Sequence, residues 1–199
     1  MRRTGVLLHP TALPGPSACG SLGRVAHAWI DALADQGIAA WQLLPLAPTD
    51  GTGSPYSSPS GFALNPWLLD AEQLLADGLI TAADLEVLPS TGQGAALDLE
   101  LAPLRADRLA EALLLRMPSW PPARLRAFER WRSAQASWLV DHCRFMVLRR
   151  LHQQQPWWQW PAPLARRRPW ALNRFDRQQA EALRAEALLQ WQLQEQWQS

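Results

Sequence analysis

The hydrophobic and polar positions divide the chain into a short strand-forming start and a long helical remainder. Gly5-Val6-Leu7-Leu8-His9 is mostly apolar up to Pro10, which has no N–H to give to a ladder, so the pattern predicts a short buried strand and a loop from Pro10. Between Gly23 and Gln36, Val25, Ala28, Trp29, Ala32 and Leu33 fall at helical spacing, and Gly37 stands where a C-terminal cap belongs. The run from Ile38 to Leu46, closed by Pro45 and Pro48, predicts a second strand buried on both faces. Strand, helix and strand make a parallel pair joined by a right-handed crossover, whose functional loops lie beyond the carboxyl ends of the strands. Those loops are residues 10–21 and 47–66.

After Leu46 the pattern contains no further convincing strand. Residues 70–78 and 81–88 read as two short helical turns, with Thr81 as a cap three residues before Asp84. Longer helices are predicted over Leu104 to Met117 and Pro122 to His152, where Phe128, Trp131, Trp138 and Phe145 recur near heptad spacing as a core-facing stripe. A Gln, Trp, Pro and Arg-rich connector covers 153–170, and a last helix runs from about Asp176 with Leu189, Leu193 and Trp197 on one side. Two parallel strands leave two unpaired edges, and an independent sheet usually needs three or more. An α/β plan is opened and not finished, so the expectation is a piece of a longer fold.

The 19 basic and 18 acidic side chains and 48% apolar residues describe a globular chain rather than a disordered or collagen-like one. Every basic residue is arginine, which excludes mechanisms built on a lysine nucleophile, a Schiff base or a phosphate-binding lysine. The twelve tryptophans suit either a core or the apolar faces of sugar rings. Residues 1–100 hold three arginines against ten acids, net −7, and residues 101–199 sixteen against eight, net +8, so the halves differ in kind. Cys19 and Cys143 cannot build a disulfide framework, no apolar run is long enough to span a membrane, and no secretory h-region follows Arg2 and Arg3. Met1 reads as a true start and the cytoplasm as the compartment.

Local motifs exclude more than they assign. Asp50-Gly51-Thr52-Gly53-Ser54 is glycine-rich but lacks both GxGxxG spacing and the lysine of a Walker loop. His9, His27, His142 and His152 show no metal-binding spacing, and neither Ser17 nor Ser54 sits in a G-x-S-x-G elbow. The informative segment is Pro45 to Pro66, which combines glycine for close backbone approach with proline for stiffness at the carboxyl end of a strand. Ser54 and the only tyrosine, Tyr56, offer hydroxyls to a ligand, and the Tyr56 ring could lie on a sugar face. The same residues also fit an ordinary structured loop in which Asp50, Thr52 and Ser54 bond only to their own backbone. His9 could bond a substrate or serve as a satisfied structural residue.

Five ordered pieces resemble the opening of the 4-α-glucanotransferases, the amylomaltase or disproportionating enzyme family. They are Val6 to Pro14, Gly20-Ser21-Leu22-Gly23, Trp41 to Leu46, Gly53 to Ser58, and Ala63-Leu64-Asn65-Pro66. Trp138 through Phe145 and Trp157-Trp158-Gln159-Trp160-Pro161 look like that family's helical insertion. The resemblance implies an α/β fold, the N-terminal part of a (β/α)8 TIM barrel that supplies its first two strands and carries a large helical insertion subdomain, with helices dominating this chain. The corresponding divisions are 1–66 for the first βαβ unit, 67–170 for the insertion, and 171–199 for a helix leading back to the barrel.

It further implies transfer of an α-1,4-glucan segment to the 4-hydroxyl of an acceptor with retained configuration, which needs one carboxylate as nucleophile and one as acid and base. Maltooligosaccharides, starch- or glycogen-derived glucans and glucose as acceptor are the implied partners, with no cofactor, metal, nucleic acid or membrane. The family's catalytic acids come from later strands, and nothing up to Ser199 matches their motifs; Asp31, Asp35 and Asp141 read as solvated helix surface. The Ser-Pro-Tyr piece carries over, making Ser54 and Tyr56 the implied substrate contacts. Many members have Gly-Tyr-Gly-Asp or Gly-Tyr-Gly-Asn before it, where this chain has Asp50-Gly51-Thr52-Gly53. The rival functions are a catalytically silent glucan-binding domain and a helical nucleic-acid module built on Arg166-Arg167-Arg168 and the nearby tryptophans.

Overall fold

A computed structural model describes residues 4–15, 18–90 and 97–199. Ser17 and the first three residues lie outside the described residues. Two three-residue strands, β1 (Gly5–Leu7) and β2 (Ala40–Gln42), pair in parallel with Val6 opposite Trp41, and α1 (Arg24–Asp35) connects them. Short α2 (Ala71–Ala76) and α3 (Ala82–Glu86) lead into α4 (Leu101–Arg116), α5 (Pro122–Ala134), α6 (Ala136–Leu151), one-turn α7 (Ala162–Ala165), α8 (Pro169–Gln178) and α9 (Ala180–Gln198). No helix among the described residues is long and apolar enough to cross a membrane.

The strand pair departs from the pattern-based expectation. Each strand is exposed at its two ends and only partly covered at its centre, so neither is buried on both faces. The central residue of β2, Trp41, meets Trp29 of α1 edge to face at 6.4 Å. With two strands, each is an edge, and the described residues supply no second layer for the other face.

The helices make the main core. Leu68, Leu74, Leu109, Leu113, Phe128, Leu139, Leu188 and Leu193 are almost fully enclosed, and α9 packs against both α4 and α6. Every residue of α9 from Glu186 to Leu193 is buried, so this helix runs through the body rather than lying on it with one apolar side. Of the three residues expected on one side of the last helix, Leu189 and Leu193 are buried and Trp197 is half exposed. The aromatic stripe does pack: Phe128 stacks on Trp131, and Phe145 meets Trp160 in a smaller cluster with Val147, Leu148 and Phe175.

Two predicted helices are each broken once. The Pro122 to His152 stretch divides at Gln135, whose side-chain oxygen accepts the indole N–H of Trp138 while its carbonyl accepts the Trp138 amide. The last helical stretch divides at Gln179. Both residues stay at negative φ, so neither break calls for the glycine or proline that would mark it in a sequence. Thr81 and Asp84 form the reciprocal capping box predicted for α3, and Arg116 binds the Asp84 carboxylate with two nitrogens at 2.8 and 2.9 Å.

Candidate functional site

The two loops beyond the carboxyl ends of β1 and β2 lie side by side, tied together through backbone and short side chains. The His9 ring bridges them: Nδ1 accepts from the Thr11 amide and hydroxyl, and Nε2–H donates to the Pro45 carbonyl at 3.3 Å. Burial holds the His9 pKa below the ordinary histidine value, against the raising effect of the Pro45 contact, so the neutral ring fits these roles. His9 is thus a satisfied structural group joining the two strand ends. In the first loop, a Cβ added at Gly20 would stand 2.0 Å from the Pro10 carbonyl oxygen, which restricts that position to glycine.

The second loop is shaped by its own polar residues. The Asp50 carboxylate accepts from the Thr52 amide at 2.9 Å and hydroxyl at 2.5 Å, which holds its pKa below the usual carboxylate value. The Thr52 hydroxyl accepts from the Ser54 amide, the Ser54 hydroxyl from the Tyr56 amide, and Asp50 N–H donates to the Ser57 carbonyl. Asp50, Thr52 and Ser54 therefore do serve as local turn builders. Tyr56, at the tip of this framework, is 74% exposed, and no hydrogen bond to its hydroxyl is formed among the described residues. A ring held out on a braced loop is available for a ligand face; Ser54 lies at its base, where its hydroxyl accepts from the Tyr56 amide in a long 3.4 Å contact.

Beneath the loop is a cavity of about 370 Å³ between Pro48–Gly51, Asn65–Trp67 and helices α4, α6 and α9. Asp50 and Arg149 are among its charged lining residues, and along its wall Arg150 bridges Asp107 at 2.6 Å on α4 and Glu186 on α9. Burial raises the pKa of both carboxyl groups above the usual range, against the lowering influence of Arg150. The Thr49 hydroxyl is buried beside this cavity with no hydrogen-bond partner among the described residues. Because Arg150 occupies both carboxylates, they do not make the open acid and nucleophile pair that glycosyl transfer requires.

Sequence reasoning missed Asp107, Arg150 and Glu186. The available signal was Glu186 itself, which lies three and seven residues before Leu189 and Leu193 and so shares their buried stripe; a carboxylate there needs a cationic partner. Asp31 and Asp35 are exposed as expected, and Asp141 is half exposed and bonded to Arg144 and Arg167. Among the described residues no group of three or more His, Cys, Asp or Glu could hold a metal ion.

Comparison with known proteins bears on this geometry. A family model described as 4-alpha-glucanotransferase matches residues 8–199. The 4-alpha-glucanotransferase of Thermus thermophilus is 38% identical over 196 residues, which are 98% of this chain and 38% of that protein. That of Synechocystis sp. is 35% identical over 184 residues, 92% of this chain and 36% of the relative. An amylomaltase from Streptococcus agalactiae, solved in complex with acarbose, superimposes with a TM-score of 0.89 at 28% identity, covering 99% of this chain and 40% of that one. The chain spans well under half the length of these relatives. With a match that starts directly after β1 and continues through the last helix, this chain belongs to the 4-alpha-glucanotransferase family.

Proposed function

We propose that this chain supplies the N-terminal, glucan-contacting part of a 4-α-glucanotransferase. The activity is transfer of an α-1,4-glucan segment to the 4-hydroxyl of glucose or a maltooligosaccharide by retaining double displacement. Its donors are maltooligosaccharides and starch- or glycogen-derived glucans, and its compartment is the cytoplasm. The strand pair with its two loops (1–66) is the first βαβ unit of a (β/α)8 barrel, 67–170 the helical insertion, and 171–199 the helix returning to the barrel. The nucleophile and the acid/base lie on polypeptide beyond these residues, and Ser54 and Tyr56 line the donor cleft. Carboxylates alone can supply nucleophile, acid and base, so no metal or organic cofactor is part of the proposal.

The observation that carries this reading is the placement of Tyr56: an exposed aromatic ring on a self-braced loop at the carboxyl end of a parallel strand. Family membership and the acarbose-bound amylomaltase support a glucan as its partner. The test is titration of the 199-residue chain with maltoheptaose, followed by tryptophan fluorescence. The parent should saturate, and Tyr56→Ala should bind about tenfold more weakly with an unchanged unfolding midpoint. Equal affinity in both would reject the role of Tyr56. Steep, salt-dependent binding of single-stranded oligonucleotides without glucan binding would instead favour the nucleic-acid reading of Arg166 to Arg168.

A further inference from the structure

Helix α9 carries two buried glutamines that treat loop backbone as though it were a neighbouring strand. Gln190 Oε1 accepts from the Leu64 amide at 2.9 Å, and Gln190 Nε2 donates to the Leu64 carbonyl at 2.9 Å. Six residues on, Gln196 makes the same double exchange with Asp70, at 2.8 and 2.9 Å. Gln190 is 2% exposed and Gln196 7%. A side-chain amide presents the donor and acceptor of a peptide group, so each pair reproduces the reciprocal bonding of one antiparallel residue pair. Leucine or methionine would fill either place; an amide there costs desolvation unless both its ends are satisfied, and it fixes one backbone residue in one place.

Leu64 lies on the limb that returns from Tyr56 to the helical body. Among the contacts that hold that limb, Asn65 N–H donates to the Leu46 carbonyl at 2.7 Å, Phe62 stacks on Trp138 at 6.3 Å, the Leu64 side chain packs against the helical core, and Gln190 grips the Leu64 backbone. The first closes the loop on the segment that follows β2, whereas the other three set it against the helices. Phe62 is itself largely exposed, which leaves Gln190 as the buried, directional contact. Gln196 acts beyond the turn at 66–68, on Asp70, whose carboxylate also accepts from Ser21 at 2.6 Å.

We propose that Gln190 is a positioning residue for glucan binding: by its two hydrogen bonds to Leu64 it sets where the loop holds Ser54 and Tyr56 and thereby sets affinity. This inference rests on the glucan reading of Tyr56. It assigns to the last helix a direct part in shaping the loop, besides filling the core.

Three substitutions in the 199-residue chain test it, with maltoheptaose affinity measured at pH 8 and pH 5.5 and folding followed by circular dichroism. Gln190→Met keeps the shape and loses both bonds, so affinity should fall about tenfold at both pH values. Gln190→Glu should fall by about the same factor at pH 8, where an ionised carboxylate faces the Leu64 carbonyl. At pH 5.5 it should recover to within about threefold of the parent, because a protonated carboxyl group donates and accepts as the amide does, and burial raises its pKa. The nearby ionisable groups are Glu186 with Arg150 and Asp107, Glu195 with Arg124, and His142 on α6, whose ring meets the Trp138 on which Phe62 stacks; all are common to the parent, whose own pH profile of binding and folding is the control. Gln196→Met removes equivalent bonds from the same helix and should cost stability while leaving affinity within about twofold.

Folded Gln190 variants that bind like the parent would overturn the proposal, as would equal weakening by Gln196→Met or absence of recovery in Gln190→Glu at pH 5.5. A parent that fails to bind glucan at all brings down the function reading and this inference together. A parent whose binding needs Tyr56 but ignores Gln190 brings down only the inference.

Discussion

The strand pair with its loops and the helical body are held together by different means. In the first, three-residue strands stay largely exposed, and order comes from polar contacts: local ones from His9 to Thr11, Asp50 to Thr52 and Ser58 to Ser60, and one from His9 across to Pro45. In the second, a continuous apolar core encloses α9, and the charged groups it buries are matched by partners, as Arg150 matches Glu186. The first region leaves an aromatic ring and sheet edges facing outward, which suits a surface that meets something else. The second is built around an enclosed helix and serves as the anchor against which the loops are set.

The contrast can be broken most forcefully by cavity formation. Leu188→Ala, at a fully enclosed position, should destabilise the chain by about 2–5 kcal/mol in urea unfolding, whereas Leu7→Ala, on a strand 55% exposed at that residue, should change stability by less than about 0.5 kcal/mol. Similar losses at both sites would erase the distinction. Next in size is a pH effect confined to the body. His142 is buried beside Trp138, its Nε2 without a hydrogen-bond partner among the described residues, and burial lowers its pKa from 6.5 to about 4. The folded pKa lies below the unfolded one, so its contribution is complete above pH 6.5 and is lost as pH falls from 6.5 towards 4, by about 3 kcal/mol in order of magnitude. His142→Leu should flatten that part of the stability profile relative to the parent; an unchanged slope would show that the ring is not buried neutral. Smaller again, Thr81→Ala removes one half of the α3 capping box and should cost about 1 kcal/mol by the same measurement.

How much of this was legible from sequence follows the same division. The α1 helix with Gly37 behind it, the Thr81 and Asp84 cap, and the parallel pairing of the two apolar runs all express local rules, and the structure has them close to the predicted residues. Gly37 takes a φ of 67°, the left-handed value its place after α1 requires. The breaks at Gln135 and Gln179 were not legible, because ordinary residues at negative φ re-aim the helices for tertiary packing. Burial of the strands was overestimated because apolar content reports what a strand could pack against, not whether a second layer is at hand. At the site, the loop and Tyr56 could be picked out by residue type and position. The Arg150 bridge and the glutamine contacts could not, since each joins residues 36 or more apart in sequence that meet only in the folded body.

The claim on which the functional account stands is that an outward-facing Tyr56 meets glucan on a loop the helices hold in place. Maltoheptaose titration of the parent chain and of Tyr56→Ala, beside their urea unfolding curves, tests it most directly. The account predicts about tenfold weaker binding by the variant with unfolding midpoints that coincide. Binding that is identical in the two chains, or lost only in step with stability, would contradict it.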